Sequence, residues 1–373
     1  MKRFLIKFCI LAAMLLGLPL LGVVLSGAPL PRYLEFPPET RYVVHAPFSW
    51  VAFTGYSLFI LAAVAPFLIR GIQACRQTGG GPVHRFAFPW WGWVGIGTGL
   101  IAWILAWTRF AWFSGFQPHT FTPLWLSYIV VINALAYRRE GTCMMLNRPG
   151  FFLLLFPISA LFWWFFEYLN RFVQNWHYVG VHLSSWEYFW YATLPFSTVL
   201  PAVLGTRQWI RTSACIRSGF ERFLPLGSFR SGRVLGWAFL FLSALGLAGI
   251  GIWPNHLFPL LWVSPLLIIV SLQGVMGERH VLSDLAEGNW VLLVASALAA
   301  TLCGFFWEMW NYYSLAKWEY SVPFVNRFHL FEMPILGYAG YLPFGVECAV
   351  IGGMVENALQ RRSPQPLRDA VRP

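Results

Sequence analysis

The sequence predicts an all-α polytopic membrane protein, a bundle of about ten transmembrane helices. Only 11% of its 373 residues are charged, where a soluble chain would carry about 25%. Hydrophobic residues make up 58% of the chain, and several charge-free segments are about 20 residues long, enough to cross a bilayer as a helix. Short motifs also recur about 140 residues apart, which indicates an internal repeat within the bundle.

Ten apolar runs are the predicted spans. The first follows Lys2, Arg3 and Lys7, as a secretory signal would. Its apolar stretch is about 18 residues long, however, and Pro29 directly follows the small residues at which a signal peptidase would cut, where it would hinder cleavage. We therefore expect the helix to be retained. The predicted spans cover residues 4–27, 49–72, 88–108, 121–137, 151–168, 187–206, 234–252, 257–276, 289–310 and 333–358.

Basic residues divide unevenly between the two sides that ten spans create. With the N-terminus inside, the inner segments hold 20 of the 26 Lys and Arg residues, which leaves six outside. This bias predicts a multi-pass protein of the bacterial inner (cytoplasmic) membrane with both termini in the cytoplasm. Topology and anionic headgroups then explain the net charge of +11, so nucleic acid is not a predicted partner.

The cysteines and histidines indicate no cofactor. Three of the six cysteines fall in predicted inner loops and three in spans, without a Cys-x-x-Cys pair, so no disulfide framework is expected. No histidine lies deep in a span, which argues against a haem site. We predict no resident metal. A minor alternative is a metal site of His177 and His182 with Glu167, or with His119 and His329.

A Glu-x-x-Asn motif ends two of the long apolar runs, and a Trp-x-Tyr element follows each copy. Acid and amide three residues apart share one face of a helix. Two further motifs recur in the same order, at offsets between 137 and 148 residues, and such collinear matches indicate duplication. The motif residues are Glu167, Asn170, Trp176 and Tyr178 in the first copy and Glu308, Asn311, Trp318 and Tyr320 in the second.

The duplication predicts two four-helix repeats preceded by two extra helices. Because each repeat has an even number of spans, both enter the membrane in the same direction, as in parallel-repeat transporters. Both Glu-x-x-Asn motifs then lie at the outer ends of their spans. The predicted units are 1–87, two helices with a Pro-rich outer loop; 88–233 and 234–362, the repeats; and 363–373, a cytoplasmic tail, with a flexible linker at 77–82.

The two acids are the leading candidates for chemistry. A carboxylate at the edge of the hydrocarbon is costly unless it is paired, hydrated or protonated. We predict that Glu167 and Glu308 share a site as acid/base or ligand residues, where Asn170, Asn311 and Arg109 orient the substrate. The Trp-x-Tyr aromatics would line the cleft, or else belong to an interfacial belt. In the alternative, each Glu snorkels or pairs with an arginine, and each Asn only joins helices.

Glu347 has no counterpart in the first repeat, where the alignment places Val199. It lies near the middle of the last predicted span, where we expect an unpaired carboxyl to carry a proton. Glu347 is therefore a candidate proton donor or proton-coupling site. The alternative is a neutral acid that bonds to a neighbouring helix, for example to Asn133.

One resemblance to a known family involves the same region. Trp318-x-Tyr320 followed by a helix with Pro343 and Glu347 resembles the integral-membrane lycopene cyclase type. The resemblance implies acid-catalysed chemistry on a long isoprenoid. In place of the family's Pro-x-Glu-Glu, this chain has Glu347 four residues after Pro343. As a whole, the chain resembles uncharacterised bacterial multi-pass inner-membrane proteins, which implies a location and no chemistry.

Three functions remain open from the sequence. The first is an enzyme that acts on a lipid or isoprenoid-linked substrate at the outer leaflet. The second is a proton-coupled transporter with its cavity between the repeats and Glu347 as the coupling site. The third is a non-catalytic subunit of a membrane complex. Membrane lipids are the predicted partners, and the sequence determines neither the reaction nor the oligomeric state.

Overall fold

The computed structural model describes residues 2–79, 85–227 and 233–360. Part of the predicted linker at 77–82 and all of the predicted tail at 363–373 lie outside these residues. Within the described ranges the chain is mainly helical, with two short two-stranded sheets. The predicted all-α class is therefore confirmed.

Seven helices in the described part of the chain are long and apolar enough to cross a membrane. They form where long runs of Leu, Ile, Ala, Phe and Trp carry few charged residues. Their number and character support a membrane-embedded protein. They are α1 (Lys2–Leu25), α2 (Trp50–Gln77), α3 (Trp90–Trp107), α4 (Phe121–Glu140), α6 (Pro149–Val173), α13 (Val291–Tyr312) and α14 (Tyr341–Gln360), the last extended at its start by the 3₁₀ turn Ile335–Gly340.

The remaining helices are shorter, and three of the ten predicted spans fall on them. The runs at 234–252 and 257–276 form helices of 17 and 16 residues. The run at 187–206 is not one helix but two, because the chain turns at Ser197 and Thr198. These helices are α5 (Met144–Asn147), α7 (Ser185–Phe196), α8 (Val199–Arg211), α9 (Ala214–Phe220), α10 (Arg233–Gly249), α11 (Pro254–Leu257) and α12 (Leu260–Val275).

Helix α8 lies at the centre of the bundle. It packs against α4, α6, α13 and α14, and its residues 199–206 are all buried. The close approach of helix α14 to α13 and α8 depends on glycines. A Cβ on Gly345 would lie 2.1 Å from the carbonyl oxygen of Ser296, and one on Gly352 would lie 2.7 Å from the Leu204 side chain. In lipid, where water does not drive helices together, such tight packing holds a bundle together.

Many of the basic residues lie at one end of the bundle. At this end, Lys7 pairs with Glu278 at 2.6 Å and Arg148 pairs with Glu356 at 2.9 Å. The Arg70 side chain also donates to the carbonyl of Gly219 at that end. We call this the basic end. The opposite end, which carries the two sheets, we call the sheet end.

The larger sheet joins segments that are 140 residues apart in sequence. Strand β1 (Trp176–Val179) pairs antiparallel with β2 (Lys317–Tyr320). Both segments lie outside the spans that the sequence predicts. In this register Trp176 lies opposite Tyr320, and Tyr178 lies opposite Trp318. Each Trp of one Trp-x-Tyr element thus faces the Tyr of the other. A smaller sheet pairs β3 (His329–Leu330) with β4 (Met333–Pro334).

The Pro-rich segment 28–48 lies against the β1–β2 sheet and the end of α6. The Gln174 side chain accepts from the backbone of Tyr42 and Val43, at 2.9 and 2.8 Å. His45 bonds through one ring nitrogen to Ser321 and through the other to the Val173 carbonyl. The segment therefore covers part of the sheet end.

Candidate functional site

A cavity of about 850 Å³ lies at the sheet end, beneath the β1–β2 sheet and beside the 28–48 segment. Its wall is largely aromatic, and both Glu167 and Glu308 line it. The structure therefore brings the two acids of the Glu-x-x-Asn motifs to one space. Five other residues of the two motifs also line the cavity: Asn170, Trp176, Tyr178, Trp318 and Tyr320.

Glu167 lies near the end of α6, and only 6% of its surface is exposed. Its Oε1 accepts three hydrogen bonds: from the indoles of Trp163 and Trp176, both at 3.0 Å, and from the Tyr178 hydroxyl at 2.6 Å. None of the described residues donates to Oε2. Arg171, one helical turn further on, bonds to Glu35 instead. The carboxyl is thus held by neutral aromatic donors, without an ion pair.

Glu308 occupies the equivalent place on α13 and is fully buried. Its Oε1 accepts from the hydroxyls of Tyr320 and Tyr341 at 2.8 and 2.7 Å. The Trp318 indole donates to the Tyr320 hydroxyl at 2.9 Å, so it supports the carboxyl indirectly. Oε2 is buried and has no donor among the described residues. A buried oxygen without a partner is costly, which marks this atom as a place for a proton or a ligand.

The two asparagines hold the strands, and the structure gives Asn311 no place in the cavity wall. The Asn170 amide donates to the Trp176 carbonyl at 2.8 Å, and its oxygen accepts from the Asn175 backbone at 2.8 Å. The Asn311 amide donates to the Trp318 carbonyl at 2.7 Å and accepts from the Trp318 N–H at 2.9 Å. Each asparagine therefore joins its helix to the following strand, and that strand carries aromatic donors for the glutamate of the same motif.

The two carboxyl sites differ in the donor that comes from outside the motif. Trp163 lies one turn before Glu167, whereas the residue one turn before Glu308 is Gly304. A Cβ on Gly304 would lie 2.3 Å from the Tyr341 ring. The ring of Tyr341 therefore fills the space that a larger side chain would occupy, and its hydroxyl reaches Glu308.

The tyrosine donors in the strands stay protonated. Burial, followed by the nearby Glu167 carboxyl, holds the pKa of Tyr178 well above its usual value. Burial and Glu308 do the same to the pKa of Tyr320. Both hydroxyls therefore serve as stable hydrogen-bond donors at neutral pH.

Histidines and charged groups lie at the rim of the cavity. Burial, and then the nearby Arg41, lower the pKa of His177 more than Glu319 raises it. Burial also lowers the pKa of His45. Lys317 pairs with Glu332 at 2.5 Å. Among the described residues, no group of three or more His, Cys, Asp or Glu side chains could hold a metal ion.

Glu347 and Arg109 do not line the cavity. Glu347 lies within α14, six residues after Tyr341, with 2% of its surface exposed. The backbone of Leu266 lies beside its carboxyl, but neither oxygen meets a donor at hydrogen-bonding distance and angle in the described part of the chain. Arg109 donates to the carbonyls of Ala106 and Tyr313 at 2.9 and 2.7 Å. It joins α3 to the end of α13, and nothing places it against a substrate.

Sequence reasoning missed two donors, Trp163 and Tyr341. Trp163 had a usable signal, because residues four apart on a helix are neighbours and it precedes Glu167 by four. Tyr341 had none, because it reaches Glu308 from another helix, 33 residues further along the chain. Searches of protein families, of curated proteins and of solved structures found no match to this chain.

Proposed function

We propose that this protein is a membrane-embedded enzyme that carries out acid–base chemistry on a lipid or isoprenoid-linked substrate in the aromatic cavity. The observation that carries the proposal is the pair of buried carboxyls in one cavity wall. On each carboxyl, Oε1 is held by aromatic donors, while none of the described residues donates to Oε2. A purely structural carboxyl would be expected to use both oxygens.

The donor sets favour different roles for the two acids. Glu167 accepts three hydrogen bonds, one more than Glu308, and hydrogen bonds to a carboxylate stabilise its charged form, so we assign Glu167 the role of base or ligand. Glu308 accepts two, and its second oxygen is sealed from solvent without a donor. That environment suits a carboxyl that holds the proton a general acid gives up. We propose Glu308 as the acid and Glu167 as its partner.

We also propose that the two halves are repeats related by a pseudo-twofold axis through the β1–β2 sheet. The reciprocal register of the two Trp-x-Tyr elements supports this. So does a reciprocal exchange in the wall: Trp262 stacks on Phe166 with ring centroids 5.0 Å apart, and Trp125 contacts Trp307 at 4.9 Å. Trp125 and Trp262 match in the proposed alignment, and so do Phe166 and Trp307.

The cavity lining supports an amphiphilic substrate. Aromatic faces of Trp163, Trp262 and Trp307 form an apolar wall, on which a prenyl chain or a sugar ring stacks. Arg41 at the rim is exposed and unpaired among the described residues, which suits an anionic group on the substrate. The charge bias of the sequence places this rim on the outer face of the membrane in our proposal.

A proton-coupled transporter has less support. Its coupling carboxyl should border the cavity, and Glu347 is not part of the cavity wall. The acid-catalysed chemistry implied by the resemblance to lycopene cyclases would likewise need Glu347 at the substrate. Glu308 lines the cavity instead. A non-catalytic subunit remains the second alternative, without a specific contact in its favour.

Mass spectrometry of lipid extracts tests the proposal. A deletion strain is compared with strains that carry the wild-type chain, Glu167→Gln, Glu308→Gln or Glu347→Gln. We expect a lipid that accumulates on deletion to persist with either cavity variant, because amides neither donate nor accept a proton as acids do. Glu140→Gln, an exposed change at the end of α4, is the matched control and should restore the wild-type lipids.

The three variants separate the alternatives. Full complementation by Glu167→Gln and Glu308→Gln, with an unchanged lipidome on deletion, would exclude the enzyme. Failure of Glu347→Gln alone would favour proton coupling and a transporter.

A further inference from the structure

An arginine at the basic end of the bundle has no protein partner in the described part of the chain. Arg207 lies near the end of the central helix α8, between the start of α6 and the end of α14. It is half-buried, and no described residue accepts a hydrogen bond or forms an ion pair with it. Because arginine stays charged in proteins, a half-buried guanidinium without a protein acceptor is able to bind an anion.

The groups around Arg207 leave the positive charge in excess. Its charged neighbours are Arg148, Arg211 and Glu356. Glu356 is already bound to Arg148 at 2.9 Å. Arg211 is exposed and also has no partner among the described residues. One carboxylate, that of Glu356, therefore lies near three guanidinium groups. It pairs with Arg148, which leaves Arg207 and Arg211 without a carboxylate of their own among the described residues.

The backbone fixes this arrangement. Helices α8 and α14 run in the same direction, and Leu204 packs on Gly352 so closely that a Cβ there would lie 2.7 Å from the leucine. One turn further along each helix come Arg207 and Glu356. The backbone that carries Arg207 and Glu356 is thus held in place by helix packing, as a preformed binding site requires.

We propose that Arg207, with Arg148 and Arg211, forms a binding site for a phosphate group. The planar guanidinium binds two oxygens of one phosphate at once, and neighbouring cations add attraction for its charge. Two sources present this chemistry at a membrane surface: the headgroup of an anionic phospholipid and a soluble phosphate compound. The site lies at the opposite end of the bundle from the cavity and is independent of the proposed enzymatic activity.

Native mass spectrometry of the purified full-length chain tests the lipid source. The protein is equilibrated with equal amounts of phosphatidylglycerol and phosphatidylcholine, and the retained lipid is counted. We expect wild type to prefer phosphatidylglycerol and Arg207→Gln to lower that preference roughly tenfold, because a charged bidentate contact is lost. Arg76→Gln, an exposed arginine at the end of α2 on the same end of the bundle, should leave the preference unchanged.

Thermal unfolding with inorganic phosphate, in detergent without added lipid, tests the soluble source. A rise in the melting temperature of wild type that is absent in Arg207→Gln would support a soluble phosphate as the ligand. Arg207→Lys keeps the charge but loses the bidentate guanidinium, so it should retain part of the lipid preference or of the phosphate response. It replaces Arg207→Gln in both experiments if the glutamine variant fails to fold. If lipid preference and the phosphate response are both the same in Arg207→Gln as in wild type, the proposal is wrong.

Discussion

At the scale of single residues, the asparagines of the two motifs position the carboxyls without touching them. Asn170 and Asn311 hold the backbone of Trp176 and Trp318, at the head of each Trp-x-Tyr element. The tyrosine two residues further on donates to the glutamate one turn before the asparagine. The motif spacing therefore has a local structural role. It allows hydrogen bonds to join each helix to the strand that follows it, around one carboxyl.

This structural role predicts the effect of Asn311→Ala. The change leaves the Trp318 N–H and carbonyl without partners, and each unsatisfied buried group costs about 1–3 kcal/mol. We expect a lower unfolding midpoint in detergent and weaker activity, because Tyr320 loses its support. Asn326→Ala, in an exposed loop, is the control. Equal stability of the two variants would show that the asparagine does not hold the strand.

We expect His45 to make the stability of the protein depend on pH. Burial lowers its pKa in the folded protein below the unfolded value of about 6.5. As pH falls through about 6.5, His45 takes up a proton in the unfolded chain but stays neutral in the folded chain. The neutral His45 therefore contributes its full share to the free energy of unfolding above that pH, and this contribution is lost as the pH falls further. The hydrogen bond between His45 and the Val173 carbonyl favours the protonated ring and offsets part of this lowering of the pKa.

The unfolding midpoint measured between pH 5 and 8 tests this. His45→Gln removes the titrating group, so we expect its midpoint to fall less steeply than that of wild type below pH 6.5. His329→Gln, which changes an exposed histidine at the same end, should keep the wild-type slope. A wild-type slope in His45→Gln would assign the pH dependence to another group.

At the scale of elements, the break between α7 and α8 is the main departure from the predicted spans. Pro195, Phe196 and Val199 at the break line the cavity. Irregular backbone within a membrane protein is tolerated where it is buried or borders a cavity. Here Ser159 of α6 compensates for the lost helical bonds: its hydroxyl donates to the Phe196 carbonyl at 2.6 Å and accepts from the Leu200 N–H at 3.0 Å.

Ser159→Ala should therefore lower the stability of the protein more than the loss of one hydroxyl group usually does. Both backbone groups at the break lose their partner, and we expect destabilisation of about 1–3 kcal/mol, measured by denaturant unfolding in detergent. Ser57→Ala is a matched control, because that hydroxyl only donates to the Phe53 carbonyl within its own helix. A cost no larger than that of the control would contradict the bridging role of Ser159.

At the scale of the whole molecule, the two ends carry different chemistry. The basic end holds Arg207, which has no partner in the described part of the chain, whereas the sheet end holds the cavity. Both ends of the described chain, at Lys2 and Gln360, lie at the basic end. From the positive-inside rule we predict that the cavity faces the outer surface.

Cysteine labelling tests this orientation. In an otherwise cysteine-free chain, the exposed native Cys75 reports on the basic end, and His329→Cys reports on the sheet end. A membrane-impermeant maleimide applied to intact cells should label the cysteine at position 329, and should label Cys75 only after permeabilisation. The reverse pattern would place the cavity inside the cell.

Much of the class and part of the site could be predicted from the sequence. Glu167 and Asn170 share a helix face because they are three residues apart, and the Trp-x-Tyr element follows closely in the chain. Such local relations depend on spacing alone. Apolar length and low charge likewise indicate membrane-spanning helices before any contact is known.

The sequence by itself thus determined the helical membrane class and the motif residues that lie near each carboxyl. Only the tertiary structure decided that the two groups share one cavity, that Tyr341 completes the second, and that Glu347 and Arg109 lie outside it. It also decided that 187–206 breaks at the cavity wall. The physical reason is that these outcomes depend on contacts between helices far apart in the chain. Such contacts are set by packing of whole surfaces and closure of loops, which no short spacing records.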